Sequence, residues 1–514
     1  MSPVPRIRRA PSLRSFCGAG VGRHELRCAR IIAPLSLGAM IVLAGCKPVG
    51  PNYNKPGFTA PTAYKETGAP SVVPPPNPVD GSWKPASPSD GMLRGKWWEV
   101  YNDPQLNKLE ERIATNNQQL KQAMENYLAV RDQITVVRAG LFPTLSAGAG
   151  FTHYRQSGNK PLAAPGAHGS YNDLTIGGLA AWEPDFWGKI RRQVESARES
   201  TQASAADLAS VDLLLHSELA SDYFQLRGLD SQIQVLRQTV ADLEHQLDLT
   251  QRRLKGGVAT DVDVAQAQTQ LETVRAQLVD VGVARSQFEH AIGTLAEYNL
   301  PDFSIPFSPL DLKLPQVPVG VPSQLLERRP DIASAERQTA AANARIGIAI
   351  AAYYPTISLN GTGGFESTHG GTWIQGPSAF WSLGAQAAEL LFDAGQRRAI
   401  TDQVRHQYEA QAAAYKNTIF AAFQDVEDNL SALRILNDEA TVEQRAVASA
   451  QHSFDLSNQR YKAGATSYLE VLTAETALLS NQRTLTDLES RQFAASVQLI
   501  RALGGGWDTS QLPK

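Results

Sequence analysis

Residues 226–257 read LRGLDSQIQVLRQTVADLEHQLDLTQRRLKGG. Leu226, Leu229, Ile233, Leu236, Val240, Leu243 and Leu247 fall in alternating steps of three and four, and Thr250 and Leu254 continue them. An apolar seam of that period marks helices wound on one another, and it outlasts the helices of a compact domain. Gly256 and Gly257 interrupt it; beyond them the seam resumes at Val264, Ala267, Leu271, Val274, Leu278, Val281, Phe288, Ile292 and Leu295. Two helices joined by so short a turn run antiparallel. The stretch therefore predicts a long helical hairpin with its tip near residues 256–263.

Outward from this hairpin the chain repeats itself. Leu141-Phe142-Pro143-Thr144-Leu145-Ser146 returns as Tyr353-Tyr354-Pro355-Thr356-Ile357-Ser358, and Phe186-Trp187-Gly188-Lys189 with Arg191 returns more loosely as Asp393-Ala394-Gly395-Gln396 with Arg398. Arg253-Leu254-Lys255-Gly256-Gly257 returns as Arg460-Tyr461-Lys462-Ala463-Gly464. Gly188 to Gly257 and Gly395 to Gly464 are each 69 residues (257 − 188; 464 − 395), so one structural unit has been duplicated. A helix of that length reaches ~100 Å. The second seam, with Leu433, Leu436, Ala440, Val447, Ala450 and Phe454, uses smaller residues. The halves meet between Asn299 and Pro322, where Pro301, Pro306, Pro309, Pro315, Pro318 and Pro322 forbid a long helix.

The period changes after each repeated proline. Leu145, Ala147, Ala149 and Phe151 alternate with Thr144, Ser146, Gly148, Gly150 and Thr152; Ile357, Leu359 and Phe365 alternate with Thr356, Ser358, Asn360 and Thr362. That is the pattern of a strand with one apolar and one polar face. Return strands are expected at about Leu174–Trp182 and Ala379–Ala387, each long enough for a tilted membrane strand. Four such strands are too few to close a barrel, which needs at least ~8. If they span lipid, several chains share one barrel, because open sheet edges are not tolerated in hydrocarbon. A soluble glycine-rich hairpin is the competing reading of the same alternation.

Composition adds the location. The seven arginines of residues 1–45 (Arg6, Arg8, Arg9, Arg14, Arg23, Arg27, Arg30) face one acid, Glu25, and without them 41 basic residues stand against 50 acidic. A net charge of −9 (41 − 50) argues against nucleic-acid partners. The apolar run Ile31–Gly45 is too short for a membrane span but fits a signal-peptide core. It ends in Leu43-Ala44-Gly45-Cys46, which resembles a lipoprotein box and makes Cys46 the expected lipidation site. Lys47 after the cysteine, rather than Asp, favours outer-membrane sorting. The long leader leaves a misplaced start codon open. Cys17 and Cys28 fall in the leader, so no disulfide is expected in the mature chain.

The second repeat opens with Pro322-Ser323-Gln324-Leu325-Leu326-Glu327-Arg328-Arg329-Pro330-Asp331-Ile332, followed by Ala335-Glu336, Ala342-Asn343-Ala344, Ile346-Gly347 and Tyr354-Pro355. This resembles the signature of the outer-membrane efflux protein family, the TolC and OprM type. Cys46-Lys47-Pro48-Val49-Gly50-Pro51-Asn52-Tyr53 and Leu503-Gly504-Gly505-Gly506-Trp507 resemble the start and end of its NodT-like lipoprotein branch. The resemblance implies a mainly α, mixed fold: a homotrimeric α-helical coiled-coil barrel continued by a shared twelve-stranded transmembrane β-barrel, four strands from each chain.

On this reading residues 1–45 are a signal peptide and 46–97 a lipidated extended arm. The first repeat, 98–300, holds a helix, a strand pair at about 143–187 and the hairpin 188–299. A Pro-rich equatorial linker, 301–322, leads to the second repeat, 323–503, with a helix, a strand pair at about 355–394 and a hairpin 395–503 whose tip lies near 463–470. Residues 504–514 form an equatorial tail.

The resemblance further implies a periplasmic tunnel that a periplasmic adaptor meets at its tips, with an inner-membrane pump, expected to be of the RND type, as the source of energy. Arg253, Gly257, Arg460 and Gly464 match the tip motif that docks the adaptor. The gate candidates are Glu470, Asp263 and Tyr468. In TolC-like members an acid at the position of Glu470 forms a constricting ring, and Thr473 replaces a second acid found in some members. Three inward carboxylates would favour cations and bind divalent ions. Capping of a helix start is the plainer role for both Asp263 and Glu470.

No paired histidine motif, CxxC, phosphate loop or nucleophile elbow is present in the sequence. No cofactor beyond the lipid on Cys46, no metal and no enzymatic activity are expected. The alternative in the same compartment is a lipidated coiled-coil adaptor, which would carry one helical hairpin rather than two.

Overall fold

The computed structural model describes residues 47–67, 95–155, 157, 169–320 and 322–513. The signal peptide and Cys46 lie outside the described residues, as does most of the arm before Gly95.

In chain order the main elements are α1 (Pro104–Asn116), α2 (Gln118–Ala139), β1 (Thr144–Arg155), β2 (Ser170–Trp182), α3 (Lys189–Lys255) and α4 (Asp261–Leu295). The second repeat gives α5 (Pro330–Ala351), β3 (Thr356–Ser367), β4 (Ala379–Ala388), α6 (Gln396–Lys462) and α7 (Tyr468–Ala502). The two long helices are each 67 residues, about 100 Å. Their return helices are 35 residues each, about half as long. The remaining length of α3 is covered by α2 and α5, and that of α6 by α5.

The strands form one antiparallel sheet in the order β1-β2-β3-β4, so the two repeats join edge to edge through β2 and β3. β2 begins at Ser170, earlier than Leu174, because its pairing with β1 extends to Arg155↔Ser170. Paired residues share a face. Leu145↔Ala180, Ala149↔Ile176 and Phe151↔Leu174 fall on the same side as Ile176↔Phe365, Trp182↔Leu359, Gly361↔Leu383 and Gly363↔Trp381. The other side carries Ser146, Thr175, Ser358, Asn360, Thr362 and Gln386. Leu145, Trp381 and Leu383 on the apolar side are about four-fifths exposed in the protomer, the reverse of a sheet that packs its apolar side on a core.

Among the described residues every level is a row of four with two open edges. The sheet ends at β1 and β4. Below it the row runs α2-α3-α5-α6, and further down α4-α3-α7-α6. The edge helix α2 has no buried residue in 22, and the edge helix α6 leaves Ile400, Phe420, Ile435, Val442 and Leu456 exposed.

The largest core lies at mid-height, where Trp97, Trp98, Tyr101, Leu106 and Ile113 pack on Leu219, Tyr223 and Phe224 of α3, Ile292 of α4 and Phe493 of α7. The proline-rich linker is held there by buried charge. Arg227 donates to the Pro306 carbonyl at 2.7 Å, Arg285 donates to the Ile305 carbonyl at 2.8 Å, and Asp230 accepts from Arg285 at 2.7 Å and from the Ser308 amide at 3.0 Å.

The arm starts at the sheet end. The Val49 amide donates to the Trp187 carbonyl at 3.0 Å, and buried Arg192 donates to the carbonyls of Val49 and Gly50, both at 3.1 Å. Gly188 has φ +79° and a Cβ there would collide with Pro48. From this point the arm descends α5 and α6: Tyr53 donates to Glu336 at 2.9 Å, Phe58 stacks on Phe423, and the Lys65 amide donates to Glu427 at 2.8 Å.

Candidate functional site

The two helix turns at the far end of the hairpins are built alike. Gly257 (φ +73°) and Gly464 (φ +78°) take the left-handed conformation that ends a helix. The next amide in each turn reaches back: Val258 donates to the Arg253 carbonyl and Ala465 to the Arg460 carbonyl, both at 2.9 Å. Both glycines have open space around the Cβ position, so the backbone conformation rather than crowding selects them.

The turns differ at the start of the return helix. Thr260 and Asp263 form a reciprocal capping box: the Asp263 amide donates to Thr260 Oγ1 at 3.3 Å, and the Thr260 amide donates to Asp263 Oδ2 at 2.8 Å. The Asp263 carboxylate is thereby occupied. Ser467 makes no such bond, and Glu470 is free of capping. Its carboxylate is about half exposed and stands 4.0 Å from Arg460 Nη1.

Tyr468 does not present itself at the turn in the protomer. Its ring is 1% exposed and packs edge-on against Tyr461 at 5.5 Å, within a cluster completed by Ala267 and Val471. The ring belongs to the apolar seam between the hairpins.

Arg253 also turns inward. Its Nη1 donates to the Tyr461 carbonyl at 2.8 Å and to the Lys462 carbonyl at 3.2 Å, and its guanidinium lies 4.5 Å over the Tyr461 ring. The carbonyls it meets lie at the end of α6, where a cation is favoured, and that of Tyr461 also accepts from the Gly464 amide at 2.9 Å. Arg460 remains largely exposed, and Val258, Val262 and Leu469, in or beside the two turns, put apolar side chains into solvent.

Residues not singled out from sequence complete the link. Thr250 lies 3.4 Å from the Tyr461 hydroxyl, and Tyr468 donates to Gln246 Oε1 at 3.5 Å. Gln246 Nε2 donates to Glu475 Oε1, also at 3.5 Å. Glu475 is 4% exposed and lies among Tyr468, Val471 and Leu479 on the buried side of α7. Burial, with Asp242 adding to it, pushes its carboxyl up to about 7. The signal was present: Tyr468, Val471, Leu472, Glu475, Leu478 and Leu479 keep the three-and-four step of the seam, and Glu475 occupies an apolar slot.

Among the described residues no helix is long and apolar enough to cross a membrane, and no group of three or more His, Cys, Asp or Glu is placed to hold a metal ion. The membrane-facing feature is the sheet. Around its helix end, Trp182 donates to the Leu141 carbonyl at 3.1 Å, Trp187 donates to the Pro355 carbonyl at 2.8 Å, and Trp187 stacks on Tyr354. Tyr154 and Tyr171 meet near the other end of the strands. Aromatic residues at both borders of an apolar band are what a membrane strand carries.

The sequence matches the family model described as outer membrane efflux protein over residues 109–296 and 321–505, one segment in each repeat. It is 32% identical over 430 residues to the pyoverdine export outer membrane protein OpmQ of Pseudomonas aeruginosa, covering 83% of this chain and 90% of that one. It is 31% identical over 468 residues to the toluene efflux pump outer membrane protein TtgC of Pseudomonas putida, covering 91% and 94%. Among solved structures the fold is similar to the outer-membrane channel OprN, with TM-score 0.80 and 28% identity over 89% of this chain and 99% of that one.

Proposed function

Because the chain belongs to the outer membrane efflux protein family, we propose that three copies of it close into one continuous duct, running from the twin helix turns to the far side of the outer membrane. The protein is an outer-membrane channel component of an efflux pump, as its relatives are. The adaptor alternative is set aside, since both repeats match the channel family.

The observation that carries the trimer is the row of four with open edges at every level. One chain cannot close a barrel. Two would give eight strands, whose interior side chains fill. Three give twelve (3 × 4) and leave a lumen, lined by the polar face of the sheet. Exposed edge helices α2 and α6 are then covered by neighbouring copies.

Lipid anchoring at Cys46 is supported by where the chain emerges. Pro48, Val49 and Gly50 are pinned beside Trp187 and Gly188, at the border between helix and sheet, so a lipid on Cys46, two residues upstream, reaches the membrane without stretching the arm. The hairpins then extend about 100 Å away from the membrane into the periplasm. The exposed apolar turn residues Val258, Val262 and Leu469, with Arg460, provide the surface for a periplasmic adaptor, and an RND-type inner-membrane pump supplies the energy. OpmQ and TtgC are named for pyoverdine and for toluene; a passive duct fits more than one cargo. Glu470 is the acid that rings the closed end, while Asp263 caps its helix.

Membrane fractionation with crosslinking from Val258 tests this reading. It predicts an outer-membrane trimer that captures an adaptor; an inner-membrane protein, or one that never trimerises, contradicts it. A deletion strain is then expected to become sensitive to the pump's cargo.

A further inference from the structure

Close to the turns, the seam between the two hairpins holds a buried acid, Glu475, with no ion-pair partner among the described residues. It lies on α7, and its Oε2 has no hydrogen-bond partner. On α3 the facing groups are Gln246, 3.5 Å away, and the negatively charged Asp242. On its own helix Tyr468 is the nearby titratable group; on α6 it is Tyr461, which packs on Tyr468. α4 offers the neutral Gln270, 3.5 Å from Thr476. Gln246 is the hub, donating to Glu475 and accepting from Tyr468, so one amide of the first hairpin holds two side chains of the second.

We propose that Glu475 is the proton-sensitive positioning residue of the tip: protonated, it lets the second hairpin lie closed against the first, and ionised, it drives the two apart. The inference rests on the reading of the turns as the closed end of the duct and adds to it the group that sets when that end loosens. A neutral carboxylic acid is tolerated in the seam and shares its hydrogen bond with Gln246. A carboxylate there is desolvated and faces Asp242 without a compensating charge, and it regains water only if α7 moves away from α3.

Burial in the closed state raises the affinity of Glu475 for its proton above that of the water-exposed open state. Closure is therefore fully favoured below the exposed value of 4.5 and is lost as pH rises through about 7. Between those limits the open-to-closed ratio rises by up to about tenfold per pH unit for each protomer.

The test is single-channel recording of the purified full-length trimer in planar bilayers from pH 4.5 to 8, for the wild type, Glu475→Gln and Glu470→Gln. Glutamine keeps the size and the contact with Gln246 but cannot ionise. The expected result is a wild-type open probability that climbs with pH, a flat and low one for Glu475→Gln, and a retained climb for Glu470→Gln. A Glu475→Gln trimer with the wild-type climb, or a wild type with no climb, overturns the inference. Infrared difference spectra read the proton directly: the carboxylic C=O intensity that titrates near pH 7 is expected to fall in Glu475→Gln, with the buried Glu110 supplying the remainder, and an intensity equal to that of the wild type contradicts the assignment. If opening responds to neither Glu470→Gln nor Glu475→Gln, the tip itself is not the closed end; a response to Glu470→Gln alone faults only Glu475.

Discussion

Arg253 Nη1 donates to the Tyr461 carbonyl at 2.8 Å, so the last turn of one repeat's long helix caps the last turn of the other's. Tyr461 is the residue that follows Arg460, which occupies Arg253's own place in the second repeat. Duplication alone would have produced two equivalent arginines, yet one bridges the hairpins and the other is left exposed.

Removing the bridge loosens the turns. Hydrogen bonds from a charged donor contribute ~1.5–3 kcal/mol, so Arg253→Ala is expected to speed amide exchange at Gly464 and Ala465 by about tenfold to a hundredfold. Exchange at mid-height, in Tyr223 and Phe224, stays unchanged. Hydrogen exchange read by mass spectrometry checks both halves of the statement.

The two faces of the sheet predict opposite responses to charge. Leu383→Arg places a cation in the middle of β4 on the apolar face and is expected to cost ~2–4 kcal/mol, because the guanidinium meets lipid. Gln386→Arg, on the polar face, leaves assembly intact. The yield of assembled trimer in outer-membrane fractions compares the two.

The lipid anchor proposed at Cys46 is tested by removing the thiol. Cys46→Ser is expected to abolish the acyl mass increment of the mature chain. The Arg192 contacts to Val49 and Gly50 still hold the arm in place, so the trimer forms without the lipid. Intact mass measurement and the trimer band are the readouts.

A buried pair at mid-height gives the protomer a pH-dependent stability. His216 Nδ1 lies 2.6 Å from Glu110, its ring stacks on Trp98, and Asp212 stands 3.5 Å from Nε2. Burial opposes charge on the imidazole, but Asp212 and Glu110 outweigh it and push His216 up to about 9. Burial raises the Glu110 carboxyl to about 7, with the bond to His216 working against it. Both groups hold protons more tightly when folded, so stability falls as pH rises: the Glu110 share is lost between about 4.5 and 7, the His216 share between about 6.5 and 9. The denaturation midpoint is expected to drop from pH 6.5 to 9, and His216→Gln to flatten that part of the profile.

Much of this architecture was legible in the sequence because it is written in local period. The step of three and four from Leu226 to Leu254 marked α3, the alternation around Leu145 and Ile357 marked the strands, and the repeated glycines marked the turns. What escaped depends on partners far apart in the chain. Nothing near Arg253 announces that its acceptor is the Tyr461 carbonyl, and nothing near Val49 announces Arg192. Asp263 and Glu470 sit at equal spacing, but Thr260 answers Asp263 with a capping box and Ser467 does not answer Glu470. Tyr468 invited a gate role by its place beside the turn, whereas its step to Val471 and Glu475 puts it in the buried seam.

The twin turns are proposed as the closed end of an export duct. Single-channel conductance of the purified trimer, wild type against Arg253→Ala/Glu470→Ala, tests it most directly. A closed end at the turns gives a small wild-type conductance blocked by divalent cations, and a larger conductance with weakened block once the bridge and the acidic ring are gone. Equal conductance and equal block in a correctly assembled double variant would contradict it.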